Sequence, residues 1–157
     1  MKDLPAIEAL YNELDGQLDL QRTQALAQSD VATVAKVETK QRINDQAYFL
    51  LGWGQLESVV DERCRDAIRR RMSDPDWTKR RAWDLYNPDD RRLSGLSFEN
   101  RAALVLDKNA GGGSSWAKVM SYYQLRNQIA HGKLQPDRIE VPVVIKDFYV
   151  LQAALSF

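Results

Sequence analysis

The sequence has little of what builds disulfides, zinc sites and membrane spans. Its 157 residues include one cysteine, Cys64, and one histidine, His131. A single cysteine cannot form a disulfide within the chain and fits a reducing compartment. No apolar run approaches the roughly 20 residues that cross a bilayer, and the N-terminus lacks the basic-then-apolar pattern of a signal peptide. We therefore expect a cytoplasmic protein that binds no membrane.

The same scarcity argues against a zinc site, because structural and catalytic zinc sites use several cysteine, histidine or carboxylate ligands. We expect no cofactor and no bound metal, although carboxylates leave a Mg²⁺ site open. Cys64 falls among apolar residues at helical spacing, so we expect a buried, unreactive thiol.

Charge of one sign is also lacking, since 22 Lys+Arg residues balance 22 Asp+Glu residues. The whole chain therefore has no strong field toward nucleic acid, and any electrostatic argument depends on local clusters. The hydrophobic fraction of 44% and charged fraction of 28% are those of a folded globular protein. The length suits one domain over residues 1–157.

Strand signals are nearly absent. The one β-branched run, residues 141–145, contains Pro142, which argues against a strand. Helical periodicity predicts helices over these residues: 3–28, 31–72, 77–86, 98–106, 116–131 and 142 onward. The second would be about 60 Å long, so it is either one helix or two that break at the polar residues 38–42 or near Gly52-Trp53-Gly54. We predict an all-α, single-domain helical bundle of five or six helices.

Helix ends have recognisable signals. Asp3, Ser97 and Ser115 are predicted N-caps, and Ser29-Asp30 is predicted to form a turn and a further cap. Gly132 stands where a left-handed C-terminal cap is expected, shortly before a proline.

The helix that would end at Gly132 carries the most informative stretch, because it includes Arg126, Asn127 and His131. Histidine is the residue type that exchanges a proton near neutral pH, and arginine is shaped to hold phosphate. At about 100° per residue, Arg126 and His131 point roughly 140° apart, with Asn127 between them. They converge only if the helix ends at His131 or if a second surface closes over both.

Residues 126–132, Arg-Asn-Gln-Ile-Ala-His-Gly, resemble the signature of the HEPN superfamily, in which an arginine and a polar residue precede a histidine by a short spacer. The motif also lies late in a helical sequence with one helix after it, as in that superfamily. The resemblance implies a compact helical bundle that forms a homodimer. It further implies a metal-independent endoribonuclease whose site forms where two motif copies meet, with Arg126, Asn127 and His131 as catalytic residues.

In such enzymes the ribose 2′-OH attacks the adjacent phosphate and leaves a 2′,3′-cyclic phosphate. Many bacterial members are toxins or phage-defence effectors paired with a nucleotidyltransferase-like antitoxin. Others are catalytically silent helical modules that dimerise or bind such a partner. The remaining alternative is an unrelated helical interaction protein in which the motif has no catalytic role.

The residue chemistry suits the catalytic interpretation. The reaction needs proton removal, protonation of the leaving group and stabilisation of phosphorane charge. One chain supplies one histidine as acid or base, so a two-histidine scheme needs two chains. Arg126 is suited to hold the phosphate with two hydrogen bonds, and Asn127 to orient the imidazole or to contact the phosphate.

Other residues extend this hypothesis. A basic segment interleaved with Trp77 and Trp83 could follow an RNA backbone or could be a solvated helix end. Glu57 could support Arg126 or His131, or could be a surface carboxylate. A second apolar arc on the motif helix could form the dimer interface. The RNA-binding candidates are Arg69, Arg70, Arg71, Lys79, Arg80 and Arg81, with Arg91 and Arg92 as a possible extension; the interface candidates are Tyr122, Leu125 and Ile129.

Overall fold

The computed structural model describes residues 1–90, 93 and 95–155. These residues form six helices and no strand, which confirms the all-α prediction. The helices are α1 (Leu4–Ala27), α2 (Val31–Met72), α3 (Trp77–Arg80), α4 (Phe98–Ala103), α5 (Ser115–Ala130) and α6 (Val141–Ala154).

The chain divides into two compact units. Unit 1 comprises Met1–Gln55 and Tyr122–Val150, and unit 2 comprises Leu56–Ser121 and Leu151–Phe157. Helices α2, α5 and α6 each contribute residues to both units. That residues 1–157 are one domain remains a prediction.

Helix α2 is continuous over 42 residues, so neither suggested break occurs. In the sequence Gly52-Trp53-Gly54, the close-contact point is Gly52 and not Gly54. A Cβ on Gly52 would lie 3.2 Å from Cε2 of Phe148 and 3.6 Å from Cδ1 of Leu4, whereas no atom of the described residues lies within 4 Å of one on Gly54. Gly52 therefore lets α6 approach the α2 backbone, and Gly54 does not have that role.

Unit 1 is built on an antiparallel pair, α1 and the first half of α2. Contacts join Arg22 to Glu38 at one end and the Asp3 backbone to Gln55 at the other. Aromatic rings fill the space between α2, α5 and α6. The ring of Phe49 lies 6.1 Å from that of Tyr122 and 6.4 Å from that of Phe148, centroid to centroid, and Trp53 stacks on Tyr123 at 6.1 Å.

Unit 2 has its own core around Cys64, Ile68 and Leu93, all buried. Burial, with a contribution from the nearby Asp61 carboxylate, raises the pKa of the Cys64 thiol to about 11. The predicted burial of Cys64 is confirmed.

Several predicted boundaries need correction. Helix α3 ends at Arg80 and not at residue 86, because the chain continues in turns in which the Trp83 N–H bonds to the Arg80 carbonyl at 2.7 Å and the Tyr86 N–H to that of Trp83 at 2.9 Å. These turns bring Trp83 and Tyr86 onto the core of unit 2, so packing outweighs helical periodicity. Helix α4 likewise ends at Ala103 and not at residue 106.

The caps are partly as predicted. The Ser97 hydroxyl accepts from the Asn100 N–H at 3.1 Å, and Asp30 accepts from the Thr33 N–H at 3.0 Å. Asp3 makes no side-chain cap bond. The cap of α5 is Ser114, which accepts from the Ala117 N–H at 3.2 Å, because α5 already begins at Ser115.

Candidate functional site

The C-terminal end of α5 is closed by a hydrogen-bonded cap. The Gly132 N–H bonds to the Ile129 carbonyl at 2.9 Å, and the Lys133 N–H bonds to the Gln128 carbonyl at 3.2 Å. Gly132 has a φ of +78°, in the left-handed region that favours glycine. This pair of bonds is a Schellman motif. The predicted cap at Gly132 is confirmed, and His131 is the residue that joins the helix to it.

Two of the three predicted catalytic residues contact each other. The Arg126 guanidinium donates from Nη1 to Oδ1 of Asn127 at 3.2 Å, and both side chains are half-buried. Asn127 therefore orients the arginine. His131 is exposed, and in the described part of the chain we find no side-chain hydrogen bond to its imidazole.

Arg126 and His131 therefore have different surroundings at the end of α5. The Arg126 guanidinium is hydrogen-bonded to Asn127, while the His131 imidazole is open to solvent and available to another group. The last residue of α5 is Ala130, and the His131 N–H still bonds to the Asn127 carbonyl at 3.1 Å. Among the described residues, no side-chain hydrogen bond joins His131 to the arginine–asparagine pair. The catalytic roles remain predictions.

Tyr122 does not lie on an open face. Its ring packs 5.3 Å from that of Phe148 and its hydroxyl donates to Oδ2 of Asp147 at 2.6 Å. Burial and this hydrogen bond raise the pKa of Tyr122. Tyr122 is half-buried and packs against α6 within unit 1, and its part in a dimer interface remains a prediction. Leu125 and Ile129 are half-buried, and their part in a dimer interface remains a prediction.

Glu57 lies in unit 2, whereas Arg126 and His131 lie in unit 1. Its Oε1 is 3.4 Å from Nη2 of Arg101, which also pairs with Asp61. The structure therefore gives Glu57 an ion-pairing role in unit 2, and its predicted support of the motif remains untested.

The predicted RNA-binding cations are largely engaged by neighbouring side chains. Arg69 lies 2.8 Å from Asp89 and 3.5 Å from Asp66. Lys79 lies 3.9 Å from Asp76, and Arg80 lies 3.8 Å from Asp84. These pairs offset much of the positive charge that the sequence concentrates here.

Two further arginines lie on indole rings. The guanidinium carbon of Arg71 is 5.9 Å from the ring centroid of Trp83, and that of Arg81 is 5.6 Å from the centroid of Trp77. Arg70 is exposed on the same stretch. The suggested extension, Arg91 and Arg92, lies outside the described residues.

Sequence reasoning missed an ionic network around the buried Asp45 in unit 1. Arg138 binds both carboxylate oxygens of Asp45 at 2.9 Å and Oδ1 of Asp15 at 2.6 Å. The Tyr11 hydroxyl donates to Oδ1 of Asp45 at 2.9 Å, and Asp45 is fully buried. The hydrogen bonds to Asp45 are the main cause that raises the pKa of Arg138. Since Arg138 follows Gly132 by six residues, this network fixes the chain segment that leaves the cap of α5.

A sequence signal for this network existed. Tyr11 and Asp15 are four residues apart on α1, and Gln41 and Asp45 are four apart on α2, so each pair shares one helix face. Gln41 donates to Asp15 at 3.2 Å. Beside the network is a cleft of about 520 Å³. Its charged lining residues are Arg22, Arg42, Arg138, Asp19, Glu38 and Asp137.

Gln46 is a buried polar residue of α2. In the same part of α2, Arg42 donates to the Pro136 carbonyl at 3.2 Å and the Phe49 ring packs near that of Tyr122. The amide nitrogen of Gln46 has no hydrogen-bond acceptor among the described residues, and a buried donor without an acceptor is uncommon.

The described residues contain neither a membrane-crossing helix nor a metal-binding cluster. No helix there has the length and apolarity to cross a membrane. The same residues hold no cluster of three or more histidine, cysteine or acidic side chains arranged to hold a metal ion. The chain matches no family model, and no curated protein or solved structure is significantly similar to it.

Proposed function

We propose that the protein is a metal-independent endoribonuclease that acts as a homodimer. The observation that carries the proposal is the end of α5, where Asn127 orients Arg126 at 3.2 Å and a hydrogen-bonded cap directly follows the exposed His131. The resemblance of residues 126–132 to the HEPN signature supports the same chemistry. Members of the HEPN superfamily also suggest the biological setting, a toxin or phage-defence effector with a nucleotidyltransferase-like partner.

The proposed reaction is an internal transfer at phosphorus. The 2′ oxygen of the ribose bonds to the adjacent phosphorus and the bond from phosphorus to the 5′ oxygen breaks, which leaves a 2′,3′-cyclic phosphate and a 5′-hydroxyl. The 2′-OH proton passes to a base, and the departing 5′ oxygen takes a proton from an acid. Arg126 would bind the phosphate oxygens, where charge accumulates in the transition state.

His131 would carry one of the two protons, and His131 of a second copy would carry the other. Each chain has one histidine, so a site with two imidazoles requires two chains. A histidine open to solvent in the single chain is what such a shared site needs, because its partner groups come from the other copy.

The test is cleavage of a mixed RNA pool in the presence of EDTA, with the product ends analysed for cyclic phosphate. We expect His131→Ala to abolish cleavage and Arg126→Ala to reduce it by at least about 100-fold, as for loss of a donor to a developing oxyanion. Lys133→Ala is the matched control, because Lys133 is an exposed cation two residues past His131 and outside the motif. Circular dichroism checks that each variant is folded.

Cleavage that persists in His131→Ala would remove this residue from the mechanism. A second measurement tests the shared site. Wild-type protein is equilibrated with a threefold excess of His131→Ala, so that most wild-type chains are in mixed dimers. We expect activity to fall below the value for simple dilution, whereas a site contained in one chain would keep that value.

The alternative is a catalytically silent helical module that dimerises or binds a nucleotidyltransferase-like partner. The observation that favours it is a shallow groove on unit 1, about 220 Å³ in volume, lined by the exposed Leu10 and Leu14 together with Tyr48. Absence of cleavage on a broad RNA pool, together with dimers that Leu10→Ser and Leu14→Ser dissociate, would favour this module over the enzyme.

A further inference from the structure

Unit 2 contains an apolar cavity of about 390 Å³ with one amide in its wall. Trp83, Tyr86, Leu96 and Leu104 form most of the lining, and Asn100 supplies the polar group. A neighbouring cavity of about 330 Å³ shares Trp83 and Leu104 and is lined by Arg70, Arg71 and Asp74. An apolar cavity with an aromatic wall therefore adjoins a cationic one.

The aromatic wall is held in place from behind. Trp83 and Tyr86 pack against the buried cluster of Cys64, Ile68 and Leu93, and their ring centroids are 6.3 Å apart with planes tilted by 51°. Both side chains remain only half-buried. Part of each side chain thus contacts the core, and part is exposed.

The charges fit a single phosphate. Two arginines and one aspartate line the second cavity, which gives 2 − 1 = 1 positive charge. The Asp74 carboxylate also accepts the Asp76 N–H at 2.9 Å, so part of its hydrogen-bonding capacity is already used. Arg71 lies over the Trp83 ring, at the boundary between the two cavities.

We propose that this double cavity binds one nucleotide of single-stranded RNA, with its base against Trp83 and its phosphate at Arg71. Flat bases stack on aromatic side chains with little regard to sequence, and the volume is at the lower end for small-ligand sites. The Asn100 amide can donate and accept together, the pairing that favours adenine. We therefore expect an adenine preference.

The inference rests on the proposed function in one respect, that RNA is the natural ligand. It also sharpens the prediction of a basic RNA-binding segment. Of the six candidate cations, only Arg70 and Arg71 line this double cavity. Arg69, Lys79 and Arg80 pair with carboxylates, and Arg81 lies on Trp77.

The experiment measures binding of a labelled hexa-adenylate RNA to the His131→Ala protein, so that cleavage cannot disturb the equilibrium. We expect Trp83→Leu to weaken binding at least about fivefold, the loss of one stacked base. Trp77→Leu is the matched control. Trp77 is on the same segment, is 58% exposed and carries Arg81 over its ring, but it lines neither cavity. Equal effects of the two substitutions, or none, would overturn the proposal.

Asn100→Ala provides a second arm, because Asn100 is exposed and its loss should not disturb the core. We expect it to abolish the preference for hexa-adenylate over hexa-uridylate, while folding by circular dichroism is unchanged. No such preference in the parent protein, or an undiminished one in Asn100→Ala, would refute the adenine site even if Trp83→Leu fails to fold.

The two proposals fail separately. If the wild type does not cleave RNA but binding depends on Trp83 and Asn100, the nuclease is wrong and the nucleotide site stands. If cleavage depends on His131 but binding ignores Trp83 and Asn100, the nuclease stands and the nucleotide site is wrong.

Discussion

Replacing Arg138 by methionine tests whether the ionic network around Asp45 supports the fold. The substitution keeps the aliphatic stem but leaves the fully buried Asp45 carboxylate without its cation. Breaking a buried ion pair by removing one partner costs about 3–5 kcal/mol. Because the Arg138 side chain is 36% exposed and Tyr11 still donates to Asp45, water and the Tyr11 hydroxyl reduce the cost of removing the arginine. We expect Arg138→Met to lower the free energy of unfolding by about 2–3 kcal/mol.

Arg22→Met is the matched control. Arg22 and Glu38 are 3.0 Å apart, but their side chains are 38% and 47% exposed, and such surface pairs contribute about 0–1 kcal/mol. Urea unfolding followed by circular dichroism gives both values, provided that the denaturant slope is unchanged. If Arg138→Met destabilises the protein no more than Arg22→Met, the network is only a surface contact.

A double-mutant cycle with Asp45→Asn sharpens the result. The asparagine removes the charge that Arg138 neutralises, so we expect the double variant to lose less stability than the sum of the single variants, with a coupling of roughly 1–3 kcal/mol. Additive losses would mean that Arg138 acts through packing alone.

Three further outcomes follow from the structure. Gly52→Ala should destabilise the protein because the Phe148 ring lies 3.2 Å from the added Cβ. Gly54→Ala should instead stabilise α2 by about 0.5–1 kcal/mol. Thermal unfolding compares the two variants. The Cys64 thiol, buried with a pKa of about 11, should resist iodoacetamide at pH 8 until urea unfolds the protein. The pKa of Tyr122 is raised in the folded state. Its hydrogen bond to Asp147 therefore stabilises the protein fully below the ordinary tyrosine pKa of about 10, and this stabilisation is lost as the pH rises further. Tyr122→Phe should be less stable than wild type at pH 8, and its free energy of unfolding should fall less than that of wild type between pH 10 and 11.

Features set by local chemistry could be predicted from the sequence. The Gly132 cap, the Ser97 cap and the turn at Ser29-Asp30 each depend on residues within one helical turn. Helical periodicity identified the six described helices for the same reason, because it depends only on residues three and four apart within one helix. The error at Ser115 was one residue, because two adjacent serines offer the same hydroxyl and only the backbone decides which one caps α5.

Features set by distant residues could not be predicted. Helix α3 ends early because Trp83 and Tyr86 turn inward to the core around Cys64, a contact that local periodicity does not contain. Arg138 meets Asp15 across 123 positions of sequence, and in sequence each looks like an ordinary surface charge. Tyr122 and Tyr123 both pack on other helices, Tyr122 near Phe148 and Tyr123 on Trp53, and periodicity within α5 does not contain these contacts.

The motif combines local features with one that needs a distant group. Its backbone is local, because α5 ends at Ala130 and the cap follows His131 directly. Its Arg126–Asn127 contact is also local, between neighbouring residues. No side chain among the described residues hydrogen-bonds to the imidazole, and no local rule supplies a partner for it. If the proposed chemistry is right, that partner is on a second copy of the same helix end, so mixed dimers with His131→Ala must lose activity beyond dilution. A monomeric enzyme with full activity would contradict this reasoning even if His131 proved essential, because it would place both protons on one chain that has a single histidine.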